Sequence, residues 1–141
     1  MVLLDVNVLV GAMREDAPRH SLLKAYLEGL RQAPEPFGVS DHVLSGTLRV
    51  LTHPRVFSPS TPQDAAVAFV TALRATPNVL VVSPGPRHWE IFLELLGSAY
   101  AVGHLVADAW HAALAIEHGC EWVSDDADFA RFPGLRWRRP G

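Results

Sequence analysis

The sequence predicts an α/β fold, with a central, mostly parallel sheet between two helical layers: a three-layer α/β/α sandwich. Three observations carry this. Short apolar runs at residues 2–6, 37–40, 78–83 and 120–123 alternate with stretches of helical periodicity. The first run is apolar almost throughout, as in a strand covered on both faces. Acids follow the first and last runs at once, Asp5 after one and Asp125 and Asp126 after the other. Parallel sheets place their ligand crevices at such strand ends.

In chain order, Asp5, Asn7 and then Val8, Leu9 and Val10 put polar groups at the end of the first strand. A helix is expected over residues 18–32, with Leu22, Leu23, Tyr26, Leu27 and Leu30 on one face, wide enough for both core and a partner. Pro34-Glu35-Pro36 breaks it. After the second strand, Ser40 or Asp41 caps a helix reaching about Thr52. A Pro-bearing connection through Pro54 and Pro59 leads to a helix capped by Thr61, with Pro62 in its first turn and Asp64 meeting the helix dipole. Pro84-Gly85-Pro86 introduces a helix to about Ala99. Asp108 is expected to open an Ala-rich helix stopped by Gly119. One helical turn over 129–132 and an edge strand over 135–137 complete the expectation, with residues 1–141 forming one domain.

Composition narrows the function. The net charge of −3 gives no global attraction to nucleic acid, so any basic surface must be local. Eleven Arg accompany one Lys, Lys24, a ratio that suits phosphate geometry and equally a coding bias. One Cys excludes an internal disulfide framework and a Cys-rich zinc site; Cys120 reads as a buried, inert thiol. No apolar run approaches the roughly 18 residues of a membrane span, and no basic segment precedes the first apolar stretch as in a signal peptide. The expectation is a cytoplasmic protein.

The acids carry the chemistry. In a parallel sheet Asp5, Asp108 and Asp126 can converge on one edge, where each pair at about 5 Å repels by a few kcal/mol. A divalent cation relieves this, and oxygen ligands without Cys or paired His suit Mg²⁺ or Mn²⁺ better than Zn²⁺. The matching chemistry is hydrolysis of phosphodiester bonds by metal-activated water. Each acid alone also has a bland role: a turn residue for Asp5, a helix N-terminal acid for Asp108, and a turn cap within Asp125-Asp126-Ala127-Asp128.

Around them, Arg49 can hold the scissile phosphate or pair with an acid, the ion pair being favoured. Asn7 can orient Asp5 or water, and Ser124 can bond a carboxylate or a phosphate; both also serve as plain turn residues. His104, four residues before Asp108, can face the same site. His111 is expected to pack or face solvent. Arg14, Arg19, His53 and Arg55 fall in loops that can flank the crevice, and Arg136, Arg138 and Arg139 make the tail basic. Core packing is expected for Trp89, Trp110, Trp122 and Trp137.

At LLDVNVLV, LRVLTHPRVF and ADAWHAALAIEHGCEWVSDDADFARFPGLRW the chain resembles the PIN-domain family, specifically the VapC-type toxins of bacterial VapBC toxin–antitoxin pairs. The resemblance covers essentially the whole length, and its last segment is the most specific. It implies a PIN-like fold and a Mg²⁺- or Mn²⁺-dependent endoribonuclease acting on tRNA, ribosomal RNA or other structured RNA. It also implies silencing by a VapB-type antitoxin whose tail lies near the active site, and a homodimer. By position it makes Asp5, Asp108 and Asp126 the metal-binding and catalytic acids, with Asp128 as companion. Asp125 falls where Ser or Thr is frequent. Many PIN domains carry a Glu in the helix after the second strand, and Gly46 stands there instead.

Two rivals remain. A phosphotransfer enzyme with an Asp after its first strand wants a Lys beside the acids, and Lys24 sits on an early helix. A catalytically weakened PIN domain that only binds RNA or antitoxin is kept open by Gly46.

Overall fold

The computed structural model describes residues 1–141. Five parallel strands form one sheet: β1 (Val2–Leu4), β2 (Phe37–Val39), β3 (Val79–Val81), β4 (Glu121–Val123) and β5 (Trp137–Arg138). Their spatial order is β3-β2-β1-β4-β5. The chain therefore steps outward from β1 through β2 to β3, then returns to the other side of β1 for β4 and β5. The topological switch lies between β1 and β4, where a parallel sheet opens its crevice. Val2, Leu3 and Leu4 pair in register with Glu121, Trp122 and Val123. The Asp5 amide still donates to the Val123 carbonyl at 3.0 Å, so both chains leave the sheet side by side.

Six helices cover the sheet in the expected α/β/α arrangement: α1 (Val6–Met13), α2 (His20–Gln32), α3 (Asp41–Leu51), α4 (Gln63–Arg74), α5 (His88–Ser98) and α6 (His104–Glu117). Helix α1 packs against α2 and α3, α3 against α4, and α5 pairs with α6. A continuous core runs from Leu3, Leu4 and Val39 through Trp122 and Val123 to Phe129. No helix is long and apolar enough to cross a membrane.

Three elements differ from expectation. The first strand stops at Leu4, and residues 6–13, not expected to be helical, form α1 with Asp5 as its cap. Val8, Leu9, Val10, Gly11 and Ala12 are all buried, so this helix has no polar stripe for periodicity to detect. A Cβ on Gly11 would lie 2.2 Å from Leu23 Cδ1, so the Leu23 side chain of α2 fills the space the glycine leaves on α1. Helix α6 begins at His104, behind Gly103 at φ 60°, and Asp108 sits in its second turn instead of opening it. The α4 cap is Pro62, with no side-chain bond, and the Thr61 hydroxyl accepts from Arg14.

Elsewhere the expected devices are present. Ser40 Oγ accepts from the Val43 amide at 3.0 Å, and Gly119 takes φ 66° just past α6. Cys120 is buried. The expected turn near Phe129 is a 3-10 turn, Ala127–Arg131. The α2 stripe is spent mainly on the core: Leu23 and Leu27 are buried, and only Leu22 stands exposed. A broader apolar surface lies instead on α5, α6 and their connection, at Trp89, Leu93, Tyr100, Val102 and Val106. Trp89 is thus an exception to core packing, at 60% exposed, whereas Trp122 is fully buried.

Candidate metal centre

Asp5 is set by the end of β1 and the start of α1. It is 7% exposed. Its Oδ1 accepts from the Val6 amide at 2.7 Å, which caps α1. Its Oδ2 accepts from Ser124 Oγ at 2.7 Å and from Asn7 Nδ2 at 3.3 Å. Burial pushes the Asp5 carboxyl up to about 6; the Ser124 and Val6 hydrogen bonds oppose this, while the charges of Asp108 and Asp126 reinforce it. The sequence-predicted acids therefore feel one another across the β1–β4 switch.

Asn7 and Ser124 knit that junction. Asn7 Nδ2 donates to Ser124 Oγ at 2.9 Å, and its Oδ1 accepts from the Asp125 amide at 3.1 Å. Ser124 Oγ also accepts from the Asp126 amide at 3.0 Å. Their polar atoms are occupied within the chain and hold the acids in place. Asp126 Oδ1 accepts from the Asp128 amide at 2.9 Å and caps the 3-10 turn, so this acid serves as the turn cap while lying at the edge.

Asp108 projects from α6. Burial raises its carboxyl above the usual range, and Asp126 and then Asp128 add to the effect, opposed by His104 and Arg131. Its Oδ2 is buried without any hydrogen-bond partner, a position a bound cation would satisfy. One donor atom from each of His104, Asp108 and Asp128 lies within 4.8 Å of the others. The tightest potential ligand group thus combines Asp108 and Asp128 with His104.

The remaining candidates are placed otherwise. Asp125 pairs with Arg19 and, at 3.8 Å, with Arg139, so it is engaged by cations of the chain itself. Arg49 is exposed and makes no ion pair or side-chain hydrogen bond, contrary to the favoured pairing. Arg14 pairs with Asp16 at 2.7 Å and lies over the Phe57 ring. Arg138 pairs with Glu121 at 2.6 Å, and Arg136 donates to the Gly119 carbonyl. The basic tail is largely tied to its own fold.

His111 is buried and stacks on Trp122, with ring centroids 5.2 Å apart. Burial, helped by His42 and His88, pushes its imidazole down to about 4. Beside Asp5 and Asp125 opens a cavity of about 430 Å³ with apolar walls that include Val10, Pro18, Val50, Val56 and Phe57. No sequence signal marked it, because its walls come from four separated stretches.

The PIN-domain family model matches residues 2–135. The chain belongs to the PIN-domain family. Within it the similarity is to VapC-type members. It is 47% identical over 141 residues to ribonuclease VapC43 of Mycobacterium tuberculosis, covering 99% of this chain and 95% of that protein. With ribonuclease VapC25 of the same organism it shares 44% over 140 residues, covering 99% of each. Two solved structures share the fold. VapBC2 from Rickettsia felis, bound to a promoter DNA fragment, gives a TM-score of 0.74 at 17% identity over the whole of both chains. The sarcin-ricin-loop-cleaving toxin VapC20 of M. tuberculosis gives 0.71 at 22% identity, covering 96% of this chain and 99% of that one.

Proposed function

We propose that the chain is a metal-dependent endoribonuclease, the toxin of a VapBC-type pair, and that residues 1–141 act as one PIN domain. The observation that carries the chemistry is the buried Asp5 carboxylate, held by three donors yet facing the charges of Asp108 and Asp126. Relatives named VapC ribonucleases support RNA as substrate.

The residues fit a divalent cation: Asp108 offers an unpartnered oxygen, and the repulsion among the acids needs compensation. Asp5, Asp108 and Asp126 would hold Mg²⁺ or Mn²⁺, with Asp128 assisting. Such an ion supplies Lewis-acid stabilisation of phosphate charge and activation of water. The chain itself supplies orientation. Ser124 and Asn7 fix the Asp5 carboxylate, and Ser124 also fixes the backbone that carries Asp126. Arg49 and Arg55, both exposed and without a side-chain partner, are among the cations free to meet an RNA backbone.

A VapB-type antitoxin is the expected protein partner, and the apolar cavity bordering Asp5 suits a hydrophobic side chain of its tail. The exposed Trp89, Leu93, Tyr100 and Val102 suit homodimerisation. The setting is the cytoplasm, where both partners and RNA meet.

The test is cleavage of total cellular RNA by the antitoxin-free protein with Mg²⁺, Mn²⁺ or EDTA, beside Asp108→Asn. Discrete fragments requiring both metal and Asp108 are expected. Binding without cleavage under every metal condition would favour a second reading, a weakened PIN domain that acts as a binding module, for which Gly46 is the motivating residue.

A further inference from the structure

We propose that His104 is a metal ligand, and that its imidazole, with the carboxylates of Asp108 and Asp128, makes the acid edge a mixed nitrogen–oxygen site preferring Mn²⁺ to Mg²⁺. The proposal rests on reading that edge as a metal centre.

Three features of the geometry converge on it. Because α6 starts at His104, residues 104 and 108 lie one turn apart on the same face. The donor atoms of His104, Asp108 and Asp128 all lie within 4.8 Å of one another. Octahedral donors at about 2.1 Å from an ion lie about 3.0 Å apart when adjacent and about 4.2 Å apart when opposite, so the three donors need close by no more than about 2 Å to share one ion. Asp108 Oδ2 is buried and unpartnered, which leaves one donor of the three without any competing bond.

The surroundings prepare the other two. Asp128 divides its oxygens: Oδ1 lies 3.9 Å from Arg131, and Oδ2 lies 3.6 Å from His104 Nε2. Its backbone is pinned by Asp126 Oδ1, so the carboxylate is presented by a fixed turn. The His104 side chain is 78% exposed and free to turn toward an ion without disturbing the core. Gly46 on α3 supplies no carboxylate, so the nitrogen donor adds to the ligand count of the edge.

An imidazole changes which ion binds. Mg²⁺ favours oxygen ligands, whereas imidazole raises affinity along the transition series, in which Mn²⁺ already accepts nitrogen. The test is titration calorimetry of metal-free protein with Mn²⁺ and with Mg²⁺, together with pulsed electron spin resonance of the Mn²⁺-loaded protein. Wild type, His104→Ala, His104→Asp and Asp5→Asn are compared. Wild type should show nitrogen coupling to Mn²⁺. His104→Ala should lose that coupling and bind Mn²⁺ about tenfold or more weakly, with Mg²⁺ affinity changed less than twofold. His104→Asp should lose the coupling yet bind Mg²⁺ more tightly than wild type, which a structural role for His104 would not produce.

Nitrogen coupling that is absent in wild type, or that persists in His104→Ala, overturns the proposal and leaves the metal-centre reading intact. Wild type that binds neither ion, and matches Asp5→Asn, overturns both.

Discussion

Asp5 and His111 are equally buried, each 7% exposed, and burial drives both toward their neutral forms. The carboxyl rises to about 6 and the imidazole falls to about 4. What surrounds them differs. Asp5 meets three hydrogen-bond donors and two further acids. His111 meets the face of Trp122 and the edge of His42, and its Nδ1 has no partner. A perturbed titration alone therefore does not separate a site from a core. Donors that stabilise the charged form, set among like charges, keep Asp5 ionisable and create the need for a cation; around His111 every neighbour favours the uncharged ring.

The largest effect should come from the acids as a set. Asp108→Asn removes the unpartnered oxygen at the edge, and metal-dependent cleavage should fall at least about 1,000-fold, as loss of several kcal/mol of charge stabilisation requires. His111→Phe should leave the same RNA assay within about threefold. Equal losses from both would break the distinction between site and core.

Stability against pH should separate the pair by sign. In metal-free protein the folded state holds the Asp5 proton up to about 6, above the ordinary 3.8. Stability therefore falls as pH rises from about 4 to 6, by up to about 3 kcal/mol. Asp5→Asn should remove that loss, leaving a variant that does not cleave but is more stable than wild type at pH 7 in EDTA by about 2 kcal/mol. Urea unfolding at pH 4 and pH 7 measures it; a variant less stable at pH 7 would mean the carboxylate's hydrogen bonds outweigh its burial.

For His111 the folded value lies below the ordinary 6.5. The unfolded chain takes up the proton first, so stability is lost as pH falls from about 6.5 toward 4. Between pH 7 and pH 5 this amounts to about 2 kcal/mol. His111→Phe should lose that slope while keeping the stack on Trp122. An unchanged slope would place the responsible proton on another group.

How much of this was legible before folding follows from the same chemistry. The alternation of strands and helices, and acids just past β1 and β4, are local patterns that a sequence displays. Helix α1 was not legible because a helix with no exposed residue shows no polar stripe, and Val8-Leu9-Val10 resembles strand as much as helix. The start of α6 depended on Gly103 at φ 60°, which no run of apolar residues announces. Asp5, Asp108 and Asp126 could be named from strand ends and family likeness. That Ser124 holds Asp5, that Arg19 occupies Asp125, and that His104 meets Asp128 are facts of chain crossings more than 20 residues apart, whereas Asn7 beside Asp5 and His104 one turn before Asp108 are short-range placements that the sequence displays.

Gly46 gives the smallest stability effect and a sharp chemical one. A Cβ at this position would meet only Val6 Cγ2, at 3.0 Å. The Val6 amide is the one that donates to Asp5 Oδ1, so position 46 looks toward the start of α1 and the inner acid. In Gly46→Glu, removing a helix-interior glycine should gain about 1 kcal/mol, while the Val6 contact must yield by a few tenths of an ångström. The two nearly cancel, and net stability should move by less than about 1 kcal/mol in metal-free protein at pH 5, where Asp5 is mostly protonated. At pH 7 the new carboxylate repels an ionised Asp5, so the metal-free variant should be the weaker of the two. Added Mg²⁺ should reverse that order, because the ion then gains an oxygen donor on the side where the native chain offers none. Thermal unfolding with and without Mg²⁺ reads the crossover directly. If Mg²⁺ stabilises wild type and variant equally, position 46 lies outside the ion's reach, and the acid edge is built wholly from β1, β4 and α6.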